Sequence, residues 1–514
     1  MYFCRNKNNP FMLKKARLAA AIIFWGIITL LFLDFTGTLH AWFGWMARIQ
    51  FLPAVLALNL GVVILLVALT LVFGRVYCSV ICPLGVFQDV VSWINGRRGK
   101  KSRMRFTWSP AKDWLRYGML AVFIAALAAG AGSVVALLAP YSTYGRIVSN
   151  LFSPVYRWGN NLLACFAERI DSYAFYTTEV WVRSVPAFII AAAAFILIAV
   201  LAWRNGRTWC NTVCPVGTVL GFLSRFSLFK IRIDAGKCKS CSLCTRGCKA
   251  SCIDWKNHSV DYSRCVDCFD CIGTCRHGAI SYSPWKRTAK EPAAKGLQEQ
   301  DSVRPDSSRR SFLSITAMLA GSAAVKAQEM KVDGGLAVIQ KKKIPHRSTR
   351  IVPAGSGSIR NFENHCTACQ LCVSVCPNLV LRPSAGIMTL MQPEMSYERG
   401  YCRPECTRCA DVCPAGAILP VSAEEKSSTR IGHAVWVREN CVPLTDGVKC
   451  GNCARHCPSG AIMMVPSDAS DPGSPEIPVI NTEKCIGCGA CEYLCPARPF
   501  SAIYVEGHQM HSEF

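Results

Sequence analysis

The stretch Cys265–Cys275, CVDCFDCIGTC, spaces four thiols as C-x2-C-x2-C-x3-C. Such a loop wraps one cubane, three thiolates meeting three irons, while the more distant fourth cysteine reaches a neighbouring cluster. Just upstream, Cys238, Cys241, Cys244 and Cys248 repeat the spacing. Residues 230–285 therefore read as an α+β domain of the bacterial ferredoxin type with two [4Fe–4S] clusters. Cys248 and Cys275 are followed by Lys and Arg rather than Pro, and Cys252 adds a fifth thiol that either replaces Cys248 or is spare.

Four more runs lie downstream: Cys366, Cys369, Cys372, Cys376; Cys402, Cys406, Cys409, Cys413; Cys441, Cys450, Cys453, Cys457; and Cys485, Cys488, Cys491, Cys495. The runs at 402 and 441 have stretched first spacings, which reshapes those loops. Residues 361–507 are thus expected to hold four clusters, six in the whole chain. The spacing leaves open which fourth cysteine serves which cluster. A disulfide scaffold fits poorly, because neighbours in such loops would pair with strain. Zinc ribbons fit poorly too, since they separate two C-x2-C pairs by a dozen or more residues.

Upstream, two related segments stand apart. Tyr77–Gly85 (YCSVICPLG) and Trp209–Gly217 (WCNTVCPVG) share an aromatic followed by C-x3-C-P and a glycine. Each follows a pair of apolar stretches, so residues 1–229 read as a duplicated α-helical membrane domain. Cys78, Cys82, Cys210 and Cys214 would supply four thiolates for another cluster or metal, act as redox dithiols, or simply be buried small thiols. Four spans are predicted at Leu18–Leu33, Phe51–Phe73, Tyr117–Leu138 and Pro186–Trp203. Lys14, Lys15 and Arg17 precede the first, and Arg97, Arg98, Lys100, Lys101, Arg103 and Arg105 follow the second. The positive-inside rule puts both groups in the cytosol and the loops 34–50 and 139–185 outside. In the first of these loops Asp34, His40 and Arg48 are candidates to meet a quinol head group and take its proton, against the plainer reading of an interfacial loop.

The formal net charge of +24 is met in part by clusters that each carry about −2 with their thiolates. No basic helix or base-stacking module accompanies it, so no nucleic-acid partner is expected. No His lies inside the four spans, no C-x-x-C-H occurs, and no G-x-G-x-x-G follows a strand. Haem and nicotinamide or flavin chemistry are therefore not indicated.

Ser308-Arg309-Arg310-Ser311-Phe312-Leu313 matches the twin-arginine export pattern and opens an internal signal at 308–328, between linkers at 286–307 and 329–360. Clusters must be inserted where iron is supplied, since metal binding and folding are coupled. The sixteen downstream thiols would form disulfides if exported unfolded. The sixteen-cysteine domain is therefore expected to cross folded, its signal either cleaved near Val325-Lys326-Ala327 or kept as a fifth span.

Taken in order, these motifs resemble two families joined end to end. Residues 1–285 resemble NapH, a membrane quinol dehydrogenase component, and 308–507 resemble NapG, the MauM/NapG-type periplasmic ferredoxin. The resemblance implies a multi-pass protein of the bacterial inner membrane with a periplasmic C-terminal domain. It further implies electrons from the membrane quinol pool passing to a periplasmic reductase or its cytochrome, with the twin-arginine machinery as export partner. The NosR relatives carry a flavin domain not seen here. Two other readings remain: a conduit from a cytosolic ferredoxin or flavoprotein, and a metalloenzyme maturation factor.

Overall fold

The computed structural model describes residues 10–97, 106–171, 175–284 and 340–513. The twin-arginine segment, the linker 286–307 and Cys4 lie outside them. The described residues of 10–284, 344–497 and 501–513 form one compact unit.

Among the described residues, two helices are long and apolar enough to cross a membrane, Met12–Leu33 within the helix Pro10–Leu33, and Val185–Asn205. The first is built of Ala, Ile, Leu and Phe with its cations confined to the N-terminal turns. The second has Pro186 in its first turn, where a missing N–H costs nothing, and stops at Gly206, whose φ is +67°.

The other two predicted spans are each broken. Instead of one helix over 51–73, the chain forms Phe51–Leu56 and Leu60–Phe73. Leu58 has φ +51°, and Asn59 caps the second piece by accepting from the Val62 N–H. The break is a reversal. A straight helix over these 23 residues would be about 34 Å long, whereas the Phe51 N–H donates to Tyr77 Oη at 3.0 Å, and Tyr77 lies four residues past the helix end. In place of 117–138 stand Asp113–Ala128 and Gly132–Leu138, separated by Gly130 at φ +70°. Continuous hydropathy cannot tell one long helix from two that share an apolar environment.

The C-x3-C-P duplication is structural. In both copies a short helix, Val76–Val80 or Thr208–Thr212, leads to an extended cysteine, Cys82 or Cys214, which precedes a proline-initiated helix, Pro83–Gly96 or Pro215–Ser224.

The cysteine runs sit on short helices between two-stranded antiparallel ribbons. Phe229–Ile233 pairs with Ile280–Pro284 around the first two runs. Beyond residue 344, Leu381–Pro383 pairs with Pro393–Met395, Thr429–Trp436 with Ile503–Glu513, and Ile462–Pro466 with Glu476–Ile480. The expected linker 329–360 is too long, because its last part belongs to the fold. Ile351 and Val352 are fully buried, and Arg347 pairs with Glu492 at 2.5 Å. The polar, glycine-rich composition hid this, as it contains only a short apolar segment. One continuous core then joins Ile28, Leu31 and Phe32 of the first helix to Leu371 and Ile418 of the C-terminal region.

Candidate iron–sulfur and electron-transfer site

Four of the six loops share one backbone signature. The residues flanking the middle cysteine both have positive φ: Ser240 and Ser242, Asp267 and Phe269, Ala368 and Gln370, Gly487 and Gly489, at +47° to +78°. Six of these eight carry side chains, for which the left-handed region costs about 1–3 kcal/mol. Such strain persists where the surroundings demand it. Left-handed residues alternating with ordinary ones turn successive N–H groups toward the inside of the loop and make an anion-binding concavity. The Ala368 N–H already points at Cys366 Sγ, 3.4 Å away. These loops fit a thiolate-bound anionic group. The runs at 402 and 441, with their longer first spacings, lack the paired signature.

The cavities show how the thiols are grouped. One is lined by Cys238, Cys241, Cys244 and Cys275. A second is lined by Cys366, Cys369, Cys372 and Cys413, and a third by Cys402, Cys406, Cys409 and Cys376. A fourth takes Cys485, Cys488 and Cys491 with Cys457. Cys248 lies close enough to Cys268 and Cys271 to oppose their ionisation, and Cys495 does the same to Cys441 and Cys453. Each fourth cysteine is thus exchanged with the partner run. Cys252 is buried with its sulfur 3.5 Å from that of Cys248. It occupies the position just before the strand that Ala279 and Ala461 fill in other runs.

The C-x3-C-P thiols form a further group. Cys78, Cys82, Cys210 and Cys214 are each at most 4% exposed. Burial pushes the Cys82 thiol well up, and the nearby Cys210 and Cys78 add to it. Ionising four such thiols needs positive charge, and two fully buried arginines provide it. Their contacts are reciprocal: Arg75 Nη2 donates to the Cys210 carbonyl at 3.4 Å, and Arg207 Nη1 to the Cys78 carbonyl at 2.6 Å. Arg75 also reaches Cys78 Sγ at 3.7 Å, and Gln88 Nε2 lies 3.1 Å from Cys210 Sγ. The other hydrogen-bond partners of the Arg75 guanidinium among the described residues are Asn211 Oδ1 and the Ser263 carbonyl, with no carboxylate. A buried guanidinium without an acid beside four thiols suits an anionic thiolate-ligated group.

The same repeats hold the first ferredoxin-like region. The Arg75 N–H donates to Asp267 Oδ2 and the Arg207 N–H to the Lys249 carbonyl, both at 2.9 Å. Each arginine follows a glycine at positive φ, Gly74 or Gly206, where a Cβ would stand 2.2 Å from Asp267 Oδ2 or 2.3 Å from the Lys249 oxygen. Behind them Asp89 is ligated by Arg207 through two bonds of 2.9 Å, by Arg17 at 3.1 Å and by Lys249 at 3.6 Å. Burial alone would raise the Asp89 carboxyl, but Arg207, Lys249 and Arg17 outweigh it and hold it well below the usual range. Lys14, at the start of the first helix, pairs with Asp270 at 2.8 Å.

The opposite end of that helix meets the C-terminal region. A Cβ on Gly145 would lie 2.6 Å from the Phe32 ring and 2.5 Å from the Cys369 carbonyl. The reversal at 57–59 lies there too, Ala57 Cα being 3.5 Å from where a Cβ on Gly416 would stand. Of the three loop residues proposed from sequence, Asp34 and His40 are brought together at 3.1 Å, whereas Arg48 turns to the Asp411 carbonyl at 2.8 Å. Asp34 also accepts from the Thr36, Gly37 and Leu39 N–H groups, which makes it a structural cap of its loop. Sequence reasoning missed Arg75, Arg207, Asp89 and Gln88. The repeated Gly-Arg pairs, three residues before the first cysteine of each motif, were the available signal.

A model described as a 4Fe-4S binding domain matches residues 55–101 and 185–234, and a 4Fe-4S dicluster domain matches 448–498. The chain is 33% identical over 107 residues to an uncharacterized protein of Methanocaldococcus jannaschii, covering 21% of this chain and 43% of that one. It is 28% identical over 183 residues to the ferredoxin-type protein NapF of Escherichia coli K12, covering 35% and 100%. To the ferredoxin-type protein NapH of the same organism it is 26% identical over 251 residues, covering 46% and 72%. It therefore spans less than half the length of the Methanocaldococcus relative. No solved structure matches the chain. The matched domains and relatives support an iron–sulfur electron-transfer protein, similar to the ferredoxin-type proteins NapF and NapH.

Proposed function

We propose that the chain is a membrane-bound carrier that oxidises quinol and delivers the electrons to a periplasmic reductase, as a NapH-like unit fused to a NapG-like one. In this reading the polypeptide crosses the bilayer four times, twice by straight helices and twice by the broken segments 51–73 and 113–138. The cytosolic unit carries two clusters, ligated by Cys238, Cys241, Cys244 with Cys275 and by Cys265, Cys268, Cys271 with Cys248. The periplasmic unit, exported by its twin-arginine segment, carries four. Cys78, Cys82, Cys210 and Cys214 hold a seventh group between the two units. Iron–sulfur clusters supply one-electron steps at potentials set by hydrogen bonds and burial, and the protein positions, insulates and charges their surroundings.

The observation that carries this reading is the set of four buried thiols between two ferredoxin-like regions at opposite ends of one helix. It supports an electron path through the bundle. A cytosolic donor in place of quinol is favoured by one feature: Cys241 is exposed, so the outermost cluster site faces solution. Anaerobic titration of the full chain in detergent separates the two. Reduction of its clusters by a soluble quinol, measured by bleaching and EPR with dithionite as the full-reduction control, is the expected result. Clusters that dithionite and a reduced ferredoxin fill, but quinol does not, would replace quinol by the cytosolic donor.

A further inference from the structure

Within the segment 149–188 lies a cavity lined by Ser149, Asn150, Arg157, Glu179, Trp181 and Arg183, with Phe188 of the helix Val185–Asn205 on its wall. Several features set it apart from a packing defect. Ser149 and Asn150 on its wall belong to a π-helical turn, Val148–Phe152, a rare geometry frequent at functional sites. Among the described residues its two arginines donate to backbone oxygens alone: Arg157 Nη1 to the Glu179 carbonyl at 3.4 Å and Arg183 Nη1 to the Val373 carbonyl at 2.5 Å. Ser149 Oγ and Trp181 Nε1 are buried without a partner, as is Nε2 of Gln370 beside them. Buried polar atoms left unpaired at one place are costly unless a polar ligand completes them.

The cavity also adjoins a cluster loop. Asn150 Nδ2 donates to Gln370 Oε1 at 2.8 Å, and Gln370 directly follows Cys369. Val373, the Arg183 partner, directly follows Cys372. A redox molecule seated here is separated from those thiols by the loop itself. Glu179 faces the cavity and is ion-paired at 3.1 Å with Arg399, its side chain 65% exposed. It offers a proton exit to water.

From this geometry, and resting on the quinol reading above, we infer that the cavity seats the quinol head group and that its electrons enter the C-terminal ferredoxin region directly at the Cys369–Cys372 loop. The head-group oxygens meet Arg157, the Trp181 N–H and Ser149. The quinol loses two electrons, one at a time, to oxidised iron–sulfur clusters of that region, and two protons through Glu179 to water, leaving the quinone. Electrons destined for a periplasmic acceptor then have no need to cross the bundle, and the first ferredoxin-like region is left free to serve another donor.

The test uses the full chain, purified anaerobically, with decylubiquinol as the probe. Arg157→Gln and Trp181→Phe are compared with the parent for quinol-driven cluster reduction, alongside iron content and the EPR spectrum after dithionite. The expected result is an apparent KM for quinol raised about tenfold or more in Arg157→Gln and less in Trp181→Phe, with iron and dithionite spectra unchanged. A parent that reacts with quinol while both variants match it would overturn the site and leave the quinol reading standing. A parent that only dithionite reduces would overturn both. Should Arg157→Gln lose iron, Trp181→Phe, which removes a single N–H donor, decides alone.

Discussion

Replacing Asp89 by Asn should undo the joint between the membrane bundle and the first ferredoxin-like region. The carboxylate faces Arg207, Arg17 and Lys249 at 2.9, 3.1 and 3.6 Å, with these side chains 0, 5 and 16% exposed. An amide keeps the shape and removes the charge, leaving three cations turned toward one another. Breaking a buried pair by removing one partner costs about 3–5 kcal/mol. For units of this size each kcal/mol lowers the melting temperature by about 2–4 °C, so a fall of roughly 6–20 °C is expected. The assay is thermal unfolding in detergent, with hydrogen exchange followed over 238–280. Exchange should rise at Lys249 and its neighbours first, because Lys249 keeps only Asp270 as an acidic partner, at 3.0 Å. Adding Arg207→Gln to Asp89→Asn should cost less than the sum of the two single changes, since the cation left unpaired is then gone. A single variant melting within 2 °C of the parent, or strictly additive costs, would refute the argument that this carboxylate neutralises the joint.

Three further outcomes follow from the same geometry. Cys413→Ser should abolish the EPR signal of the cluster on the 366–372 loop while sparing the one on 402–409, where pairing within each run would predict the reverse. Gly206→Ala should loosen the same joint as Asp89→Asn, visible as faster exchange near Lys249, because a Cβ there meets the Lys249 oxygen at 2.3 Å and φ is +67°; unaltered exchange would count against the close approach. Burial, aided by the neighbouring charge on His508, lowers the His511 imidazole to about 4 from 6.5. The unfolded chain then binds more protons between these values, so stability is full above about pH 6.5 and falls as pH drops toward 4, by about 3 kcal/mol in all. Melting curves from pH 7 to 4 should show the loss, and His511→Gln should flatten it.

The cluster loops were legible because their chemistry is local. Four cysteines in eleven residues state their purpose, and the duplicated C-x3-C-P segments announced a repeat before any coordinates. Which fourth cysteine joins which loop was not legible, since Cys376 and Cys413 change partners across 37 residues and only packing decides it. The broken spans were hidden for another reason. Leu58 and Gly130 reverse or interrupt the chain without lowering its hydropathy, so a window average passes over them. Nothing in either Gly-Arg pair alone marks the arginines at 75 and 207 as buried. Their burial follows from the repeat folding on itself, a relation between segments 132 residues apart that neither segment encodes alone.

The helix Leu60–Phe73 links the reversal beside Gly416 to the glycine beside Asp267, and its 14 residues rise about 21 Å, well short of a hydrocarbon core of about 30 Å. In the proposed orientation the transmembrane voltage therefore drops across a thin waist whose cytosolic end carries the four buried thiols. Moving one charge through the whole field is worth about 2.3 kcal/mol per 100 mV. With the cytosol negative, an electron passing outward through the waist is driven by the voltage and one passing inward is opposed. Electrons handed over at the outer face do not feel it. In sealed vesicles, an imposed potential would thus speed a cytosol-to-periplasm current and leave quinol oxidation at the outer cavity untouched, so that voltage alone tells the two routes apart in one molecule.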